Sequence, residues 1–166
     1  AGEMGVDCPI HFAVDTGMSR IGYQVTEEAA DEMAQIARLP HIMVEGIFTH
    51  FARADEADKT SAEEQLALFE KMISMLEERG IEIPIKHCSN SAGIVELKEA
   101  NMDMVRAGIT LYGLWPSEEV RRDIIDLKPA LSLITHVAYV KDLEAGRAIS
   151  YGGTYVTEKE TSLATI

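Results

Sequence analysis

Apolar runs and amphipathic stretches alternate along the first two-thirds of the chain. Four short apolar runs predict buried strands, at 9–14, 44–48, 84–88 and 102–105. Three further stretches predict helices, at 26–38, 60–79 and 91–99. An alternation of about 30 to 40 residues per unit is typical of parallel strands with right-handed crossovers, in a β/α barrel or a doubly wound sheet.

The pattern changes after Pro116. Residues 131–166 contain short β-rich runs that are separated by glycine and charged turns, and the chain ends inside an apolar run. We therefore predict an α/β domain over 1–114. Residues 115–166 are predicted to form a linker and the start of a β-rich domain, which is incomplete.

Charge and composition exclude several classes of protein. The formal net charge is −13, from 28 acidic against 15 basic residues, which argues against nucleic-acid binding because that function needs a positive surface. No run approaches the roughly 20 apolar residues of a membrane helix, and no secretory signal is visible, so we expect no membrane segment in this chain. Cys8 and Cys88 lack the spacing of a metal site, which favours a reducing, cytoplasmic setting and no bound metal.

A polar cluster follows each of the four predicted strands. In a β/α barrel the carboxyl ends of the strands meet at one mouth, so four successive clusters converge on one ligand site. Taken alone, each cluster also has a structural interpretation, as a buried histidine, a helix cap or a salt-bridge partner. The clusters are Asp15-Thr16-Gly17 with Arg20, His50, Ser89-Asn90-Ser91, and Arg106-Ala107-Gly108.

Two of these junctions suit a phosphate group. Asn90 and Ser91 stand where a helix begins, so that free backbone N–H groups and a hydroxyl lie together. The junction from Arg106 to Ile109 is a second such place, since Gly108 allows close approach of the backbone. Two junctions on neighbouring strands predict one shared phosphate site.

The Asp15-Thr16-Gly17 triplet also occurs in aspartic proteases. That catalysis needs two carboxylates that share a proton, supplied by two β-rich halves. The strand–helix repeat and the absence of a second Asp-Thr-Gly in the sequence argue against this class. P-loop, G-x-G-x-x-G, His-Glu-x-x-His and nucleophile-elbow motifs are also missing from the sequence.

Motifs in a consistent order make the chain resemble the alanine racemase family. They span nearly all of its length, at 14–22 (VDTGMSRIG), 46–56 (GIFTHFARADE), 88–93 (CSNSAG), 103–113 (DMVRAGITLYG), 127–133 (LKPALSL) and 148–157 (AISYGGTYVT). The resemblance implies the second half of a TIM-type β/α barrel, followed by the start of a β-rich C-terminal domain. It also implies a homodimeric enzyme that interconverts L- and D-alanine through a pyridoxal-phosphate aldimine and supplies peptidoglycan precursors.

The resemblance implies a role for each cluster. Ser91 and the backbone N–H groups of Gly108 and Ile109 hold the cofactor's phosphate, with Asn90 beside them. Arg20 hydrogen-bonds the cofactor's phenolic oxygen, Arg106 donates to its pyridine nitrogen, and His50 supports Arg106. Because a guanidinium keeps its proton, the ring nitrogen stays an acceptor and the ring is a weaker electron sink, which suits racemisation.

Neither catalytic base is placed within this chain by the resemblance. The Schiff-base lysine is expected ahead of residue 1, and the opposite-face tyrosine, contributed by the partner subunit, is expected beyond residue 166. The chain is therefore expected to be an internal fragment that is inactive alone, and whether it binds pyridoxal phosphate by itself stays open. Ala13 replaces a lysine, often carbamylated, that positions the arginine matching Arg20 in many family members; a bound anion such as chloride is one hypothesis for the missing charge.

Several alternatives remain open at this stage. The chain could derive from a serine/alanine racemase domain of the vancomycin-resistance type or from a broad-specificity amino-acid racemase, since these share the fold and the motifs. A non-catalytic cofactor-binding or structural fragment is the alternative from a different class.

Overall fold

The computed structural model describes residues 2–166, which form two compact units that divide between Ala130 and Leu131. The first unit combines a parallel sheet with helices, and the second contains antiparallel strand pairs. The boundary that the sequence predicts at residue 114, between the α/β domain and the linker, stays a prediction. Across residues 2–166, no helix has both the length and the apolar character needed to cross a bilayer.

The sheet of the first unit has four parallel strands. They are β1 (Cys8–Asp15), β2 (Tyr23–Gln24), β3 (Ile42–Phe48) and β4 (Ile85–His87). Their order across the sheet is β2-β1-β3-β4, so the chain crosses over between β1 and β3 and between β3 and β4. A parallel sheet with helical crossovers is the α/β arrangement that the sequence pattern predicts.

Three α-helices connect or follow these strands, namely α1 (Glu27–Ala37), α2 (Thr60–Glu78) and α3 (Ser91–Glu96). Thr26 is the N-cap of α1, as predicted, because its Oγ1 accepts a hydrogen bond from the Ala29 N–H at 3.2 Å. Gly80 follows the end of α2 with φ of +74°, a left-handed conformation that favours glycine.

The core lies between the sheet and the helices. Alternate residues of β1, Phe12 and Val14, point into it together with Ile47 of β3. The helices contribute apolar residues at helical spacing that are completely buried, namely Ala30, Met33, Phe69, Met72 and Leu76. Burial of one such face per helix is the main stabilising contribution to this unit.

The predicted fourth strand at 102–105 is wrong, because no strand forms there. The segment does run beside β4, since the Asp103 N–H donates to the Lys86 carbonyl at 3.1 Å. The Lys86 N–H, however, donates to the Asp103 carboxylate at 2.8 Å rather than to a backbone carbonyl, and Met102 has φ of +36°. The Asp103 carboxylate thus replaces the backbone carbonyl that would accept the next hydrogen bond of a parallel strand pair.

The helix predicted to reach residue 99 is shorter. It ends at Glu96, and a 3₁₀ turn follows at Lys98–Asn101.

The second unit consists of short antiparallel pairs. Its strands are β5 (Tyr139–Leu143), β6 (Ala148–Ile149), β7 (Tyr155–Val156) and β8 (Thr161–Thr165). β5 pairs with β8 and β6 pairs with β7. The predicted β-rich character is therefore confirmed, although residues 131–138 of the predicted run form no strand.

The two cysteines of the first unit should differ in reactivity. Cys88 is fully buried and its Sγ donates to the Ala100 carbonyl at 3.1 Å, and burial raises the pKa of its thiol to about 12. Because the thiolate is the reactive form, we expect an aromatic disulfide reagent at pH 8 to label Cys8, which is partly exposed, and to leave Cys88 unmodified. Cys8→Ala should show no labelling until urea is added. Rapid stoichiometric labelling of native Cys8→Ala would contradict the burial.

Candidate functional site

The guanidinium group of Arg106 lies across the carboxyl ends of β3 and β4. Its Nη2 donates to the carbonyl of Thr49 at 2.7 Å and to that of Cys88 at 3.3 Å. Its Nη1 donates to the carbonyl of His87 at 3.3 Å. One charged side chain thereby contacts carbonyls at two strand ends, and that of His87 also accepts from the Thr49 N–H at 3.3 Å.

Two imidazoles complete the surroundings of this guanidinium. Nη1 of Arg106 donates to Nδ1 of His87, and Nη2 donates to Nδ1 of His50 at 3.2 Å. An imidazole nitrogen that accepts a hydrogen bond carries no proton, so both rings are neutral. Burial, with the nearby charge of Arg106, lowers the pKa of His87 to about 4 and lowers that of His50.

Arg106 keeps one donor available. Within residues 2–166 its Nη groups make all its hydrogen bonds, and its Nε–H has no acceptor. Burial lowers the pKa of Arg106, but a guanidinium remains protonated at ordinary pH. The ring of Phe48 lies 5.4 Å from its Cζ and stacks on His87, so the group is held on its apolar side as well.

Arg20 adds a second positive charge to the same edge. It is exposed on the loop after β1, and it lowers the pKa of both His50 and Arg106 by its charge. In the part of the chain that the structure describes, neither Arg20 nor Arg106 forms an ion pair with a carboxylate. Two guanidinium groups without acidic partners are suited to an anionic ligand.

The hydroxyl of Ser91 forms hydrogen bonds with residues of the second predicted phosphate junction. The Gly108 N–H donates to Ser91 Oγ at 2.9 Å, and the Thr110 hydroxyl lies 3.1 Å from the same atom. A Cβ at Gly108 would meet only Ser91 Oγ, at 3.6 Å, so space remains beside this junction. Ile109 lies between the two donor residues and is exposed. The two junctions predicted to share one phosphate are therefore brought together.

Asn90 is engaged within the protein. Its Oδ1 accepts from the Gly93 N–H at 3.1 Å and thereby caps α3. Its Nδ2 donates to the carbonyl of Phe51 at 3.3 Å. These contacts are those of a helix cap, and its predicted place beside a cofactor phosphate stays a prediction.

The acid of the opening triplet has a structural role. Asp15 Oδ1 accepts from the N–H groups of Ser19 at 2.9 Å and Gly17 at 3.0 Å, which closes the turn after β1. The Ser19 N–H is the main reason why the pKa of Asp15 is lowered. Ala13 lies opposite Phe48 in the strand register, and no residue within 2–166 supplies a carboxylate to Arg20 there.

Sequence reasoning overlooked Gln65. This residue of α2 is only 3% exposed. Its Nε2 donates to the hydroxyl of Thr16 and to the carbonyl of His50, both at 3.1 Å. The Thr16 hydroxyl lies 2.7 Å from that of Thr49, so a buried helix residue ties together the ends of β1 and β3. A polar residue in the apolar stripe of an amphipathic helix was the signal that could have identified it.

These features define an α/β protein with a positively charged cluster at the carboxyl edge of a parallel sheet, where an anionic ligand would find two guanidinium groups. Residues 1–116 match the family model "Alanine racemase, N-terminal domain", and residues 130–166 match "Alanine racemase, C-terminal domain". The chain therefore belongs to the alanine racemase family.

Individual relatives agree with this assignment. The chain is 47% identical over 164 residues to an alanine racemase of Clostridium perfringens, covering 99% of this chain and 42% of that protein. A solved alanine racemase of Clostridium difficile 630 superposes with a TM-score of 0.84 at 40% identity, over 98% of this chain and 43% of that one. The Bacillus anthracis alanine racemase with bound L-Ala-P gives a TM-score of 0.77 at 36% identity, and the match covers 95% of this chain and 41% of that one. The chain thus spans about two-fifths of the length of the relatives it matches.

The depressed pKa of His87 has a consequence for stability. The unfolded state takes up a proton near the ordinary histidine pKa of 6.5, whereas folded His87 does so only near pH 4. The free energy of unfolding should therefore decrease as the pH falls from 6.5 to 4, by up to about 1.4 kcal/mol per pH unit from this group. Urea unfolding across this range measures the slope. The slope should become shallower in His87→Gln and not in His136→Gln, which alters an exposed histidine; equal slopes in all three proteins would contradict this assignment.

Proposed function

We propose that this chain is part of a pyridoxal-phosphate-dependent alanine racemase that interconverts L- and D-alanine. The observation that carries the proposal is the arrangement of Arg106, whose Nη groups are fully engaged while its Nε–H remains available. Names of relatives at 44–47% identity support the reaction. The supply of D-alanine for peptidoglycan precursors in the cytoplasm is part of the same proposal.

The residues present fit the cofactor's polar groups. Ser91 Oγ and the N–H groups of Gly108 and Ile109 would hold the phosphate, and the Gly108 N–H would then exchange Ser91 Oγ for a phosphate oxygen. Asn90 fixes the start of α3. Arg106 would face the ring nitrogen as a donor, and Arg20 the phenolic oxygen. Bound pyridoxal phosphate supplies a conjugated ring that stabilises negative charge at the α-carbon of the amino acid.

Arg106 determines how strong that stabilisation is. Its guanidinium does not transfer its proton, so an acceptor that faces it stays unprotonated. Neutral His87 and His50 have no proton to spare at their Nδ1 atoms, and both accept from Arg106. The ring nitrogen would thereby face a permanent cation that donates a hydrogen bond without giving up its proton, which limits side reactions of the carbanion and favours return of the proton to the α-carbon.

Racemisation also needs a proton-transfer group on each face of the α-carbon. Tyr151 in the second unit is fully exposed. It is flanked by Ser150 at φ of +59° and by Gly152 at +77°. A non-glycine residue in the left-handed region next to an exposed phenol is the kind of local strain found at functional sites. We propose Tyr151, donated by the partner subunit of a dimer, as one of the two groups, instead of a tyrosine beyond residue 166.

The length of the match supports a partial site. Because the chain spans about two-fifths of its relatives, the other proton-transfer group, a Schiff-base lysine, is proposed to lie outside it, as is the other half of the barrel. We therefore expect no racemisation by this chain alone. Borohydride reduction in the presence of pyridoxal phosphate should give a specific lysine adduct in the full-length protein and none within residues 1–166. A specific adduct within residues 1–166, with activity, would contradict this division.

The role of Arg106 can be tested in the full-length protein by Arg106→Lys. Lysine keeps the charge but cannot bridge three carbonyls and two imidazoles at once, so kcat for alanine racemisation should fall by about 100-fold. Arg121→Lys alters an exposed arginine paired with Asp123 and should leave kcat unchanged. Absence of racemisation in the unmodified protein contradicts the proposed function, and an unchanged kcat in Arg106→Lys contradicts the role of this residue.

Tyr151→Phe tests the second proton-transfer group. Loss of the phenolic proton should reduce inversion by about 100-fold or more, while solvent deuterium still exchanges into one enantiomer of alanine through the remaining base. Tyr155→Phe alters an exposed tyrosine of β7, four residues away, and serves as the matched control. Wild-type inversion by Tyr151→Phe would place the second group elsewhere.

A further inference from the structure

A row of polar side chains leads from Arg106 to the middle of β1 and β3. Nη1 of Arg106 meets Nδ1 of His87, and Nε2 of His87 lies 2.8 Å from Nδ1 of His11. Nε2 of His11 in turn lies 3.3 Å from a carboxylate oxygen of Glu45. Three successive contacts thus connect a guanidinium to a carboxylate through two imidazoles.

The two ends of this row determine the direction of every hydrogen bond in it. Arginine can only donate, so Nδ1 of His87 must accept and the proton of that ring must sit on Nε2. Nε2 then donates to Nδ1 of His11, whose own proton sits on Nε2 and is donated to Glu45. Because a carboxylate can only accept, the row is consistent from end to end with both imidazoles neutral.

The fold contains specific provisions for this row. His11 lies opposite Gly46 in the register, and a Cβ at Gly46 would come within 2.5 Å of the His11 ring. The register shifts by one residue after Ile10, which pairs with Val44, so Glu45 is the extra residue of a β-bulge. A bulge redirects a side chain, and here it leaves Glu45 within reach of His11. Because Gly46 has no side chain, the His11 imidazole can lie directly against its backbone.

The row leaves little freedom to His87. This residue is 4% exposed, so its Nε2–H has no access to bulk solvent and depends on His11 as its acceptor. Without His11, the buried Nε2–H of His87 has no acceptor, which is energetically costly. The imidazole of His87 then lowers its free energy by changing tautomer or by rotating. Either change takes the Nδ1 lone pair away from Arg106. His11 is thus the group that commits His87 to accept from the guanidinium.

We propose that His11, held by Glu45, is a positioning residue that acts through His87 to keep the Arg106 guanidinium oriented with its Nε–H free. The consequence for catalysis rests on the proposed racemase function, whereas the protonation pattern does not. At metal sites, loss of a histidine's supporting partner reduces metal affinity or activity about 10- to 100-fold. We expect a reduction of about tenfold here, because His87 keeps its other contact to Arg106.

The protonation pattern is tested by ¹⁵N NMR of histidine-labelled full-length protein without cofactor. We expect His87 to carry its proton on Nε2, with Nδ1 unprotonated, and His11→Leu to give a mixture of tautomers. His11→Gln offers an amide oxygen to His87 and an NH₂ group to Glu45, so it should restore the single tautomer. Asp7→Ala removes the carboxylate from the exposed His41 pair and serves as the control, with no effect on His87.

A proton on Nδ1 of His87 in the unmodified protein overturns the proposal. If His11→Leu does not fold, Glu45→Ala and His11→Gln still decide it.

The catalytic consequence is tested separately in the cofactor-loaded protein. We expect kcat to fall about tenfold in His11→Leu and to recover to within about twofold in His11→Gln, with KM for alanine nearly unchanged. An unchanged kcat and an unchanged His87 tautomer in His11→Leu overturn the positioning role. Absence of racemisation in all variants and in the unmodified protein contradicts the proposed function, while the NMR result still decides the row.

Discussion

The site depends on the hydrogen bonds that a single guanidinium makes to backbone carbonyls at the ends of two parallel strands. Arg106 donates to Thr49 on one side and to His87 and Cys88 on the other. Charged donors to carbonyls in a partly buried site are stronger than neutral hydrogen bonds. Because these bonds engage only the Nη groups, the same contacts that hold the strand ends also orient the remaining Nε–H toward the site.

Other parts of the first unit secure the same edge. Gln65 of α2 joins the loop after β1 to the end of β3, so the packing of a helix against the sheet also sets the spacing of the strand ends. Ser91 and Gly108 are joined by a hydrogen bond of 2.9 Å, which fixes the two phosphate junctions relative to each other. The row from Arg106 through His87 and His11 extends this order from the carboxyl edge to the middle of β1. Separate hydrogen bonds at one edge of the sheet therefore orient Arg106 and join the two predicted phosphate junctions.

Local sequence patterns predicted most of the fold. Buried strands and amphipathic helices follow from periodicity, and the Thr26 cap followed from its position before two acidic residues. The segment 102–105 has the composition of a strand, but the Asp103 carboxylate accepts the Lys86 N–H in place of a backbone carbonyl. The hydrophobic periodicity of a sequence does not show when a side chain competes with the backbone in this way. In the site, residues that directly follow strands could be predicted, because the ends of parallel strands meet at one edge. His11, Glu45 and Gln65 could not, because their roles depend on the register of β1 against β3 and on the docking of α2.

A crystal structure of the full-length protein with pyridoxal phosphate tests the role of Arg106 most directly. We expect the Arg106 Nε–H within hydrogen-bonding distance of the ring nitrogen, about 2.7–3.2 Å between heavy atoms. We also expect the phosphate on Ser91 and on the N–H groups of Gly108 and Ile109. A carboxylate facing the ring nitrogen, or a phosphate bound away from Ser91, would show that Arg106 does not organise this site.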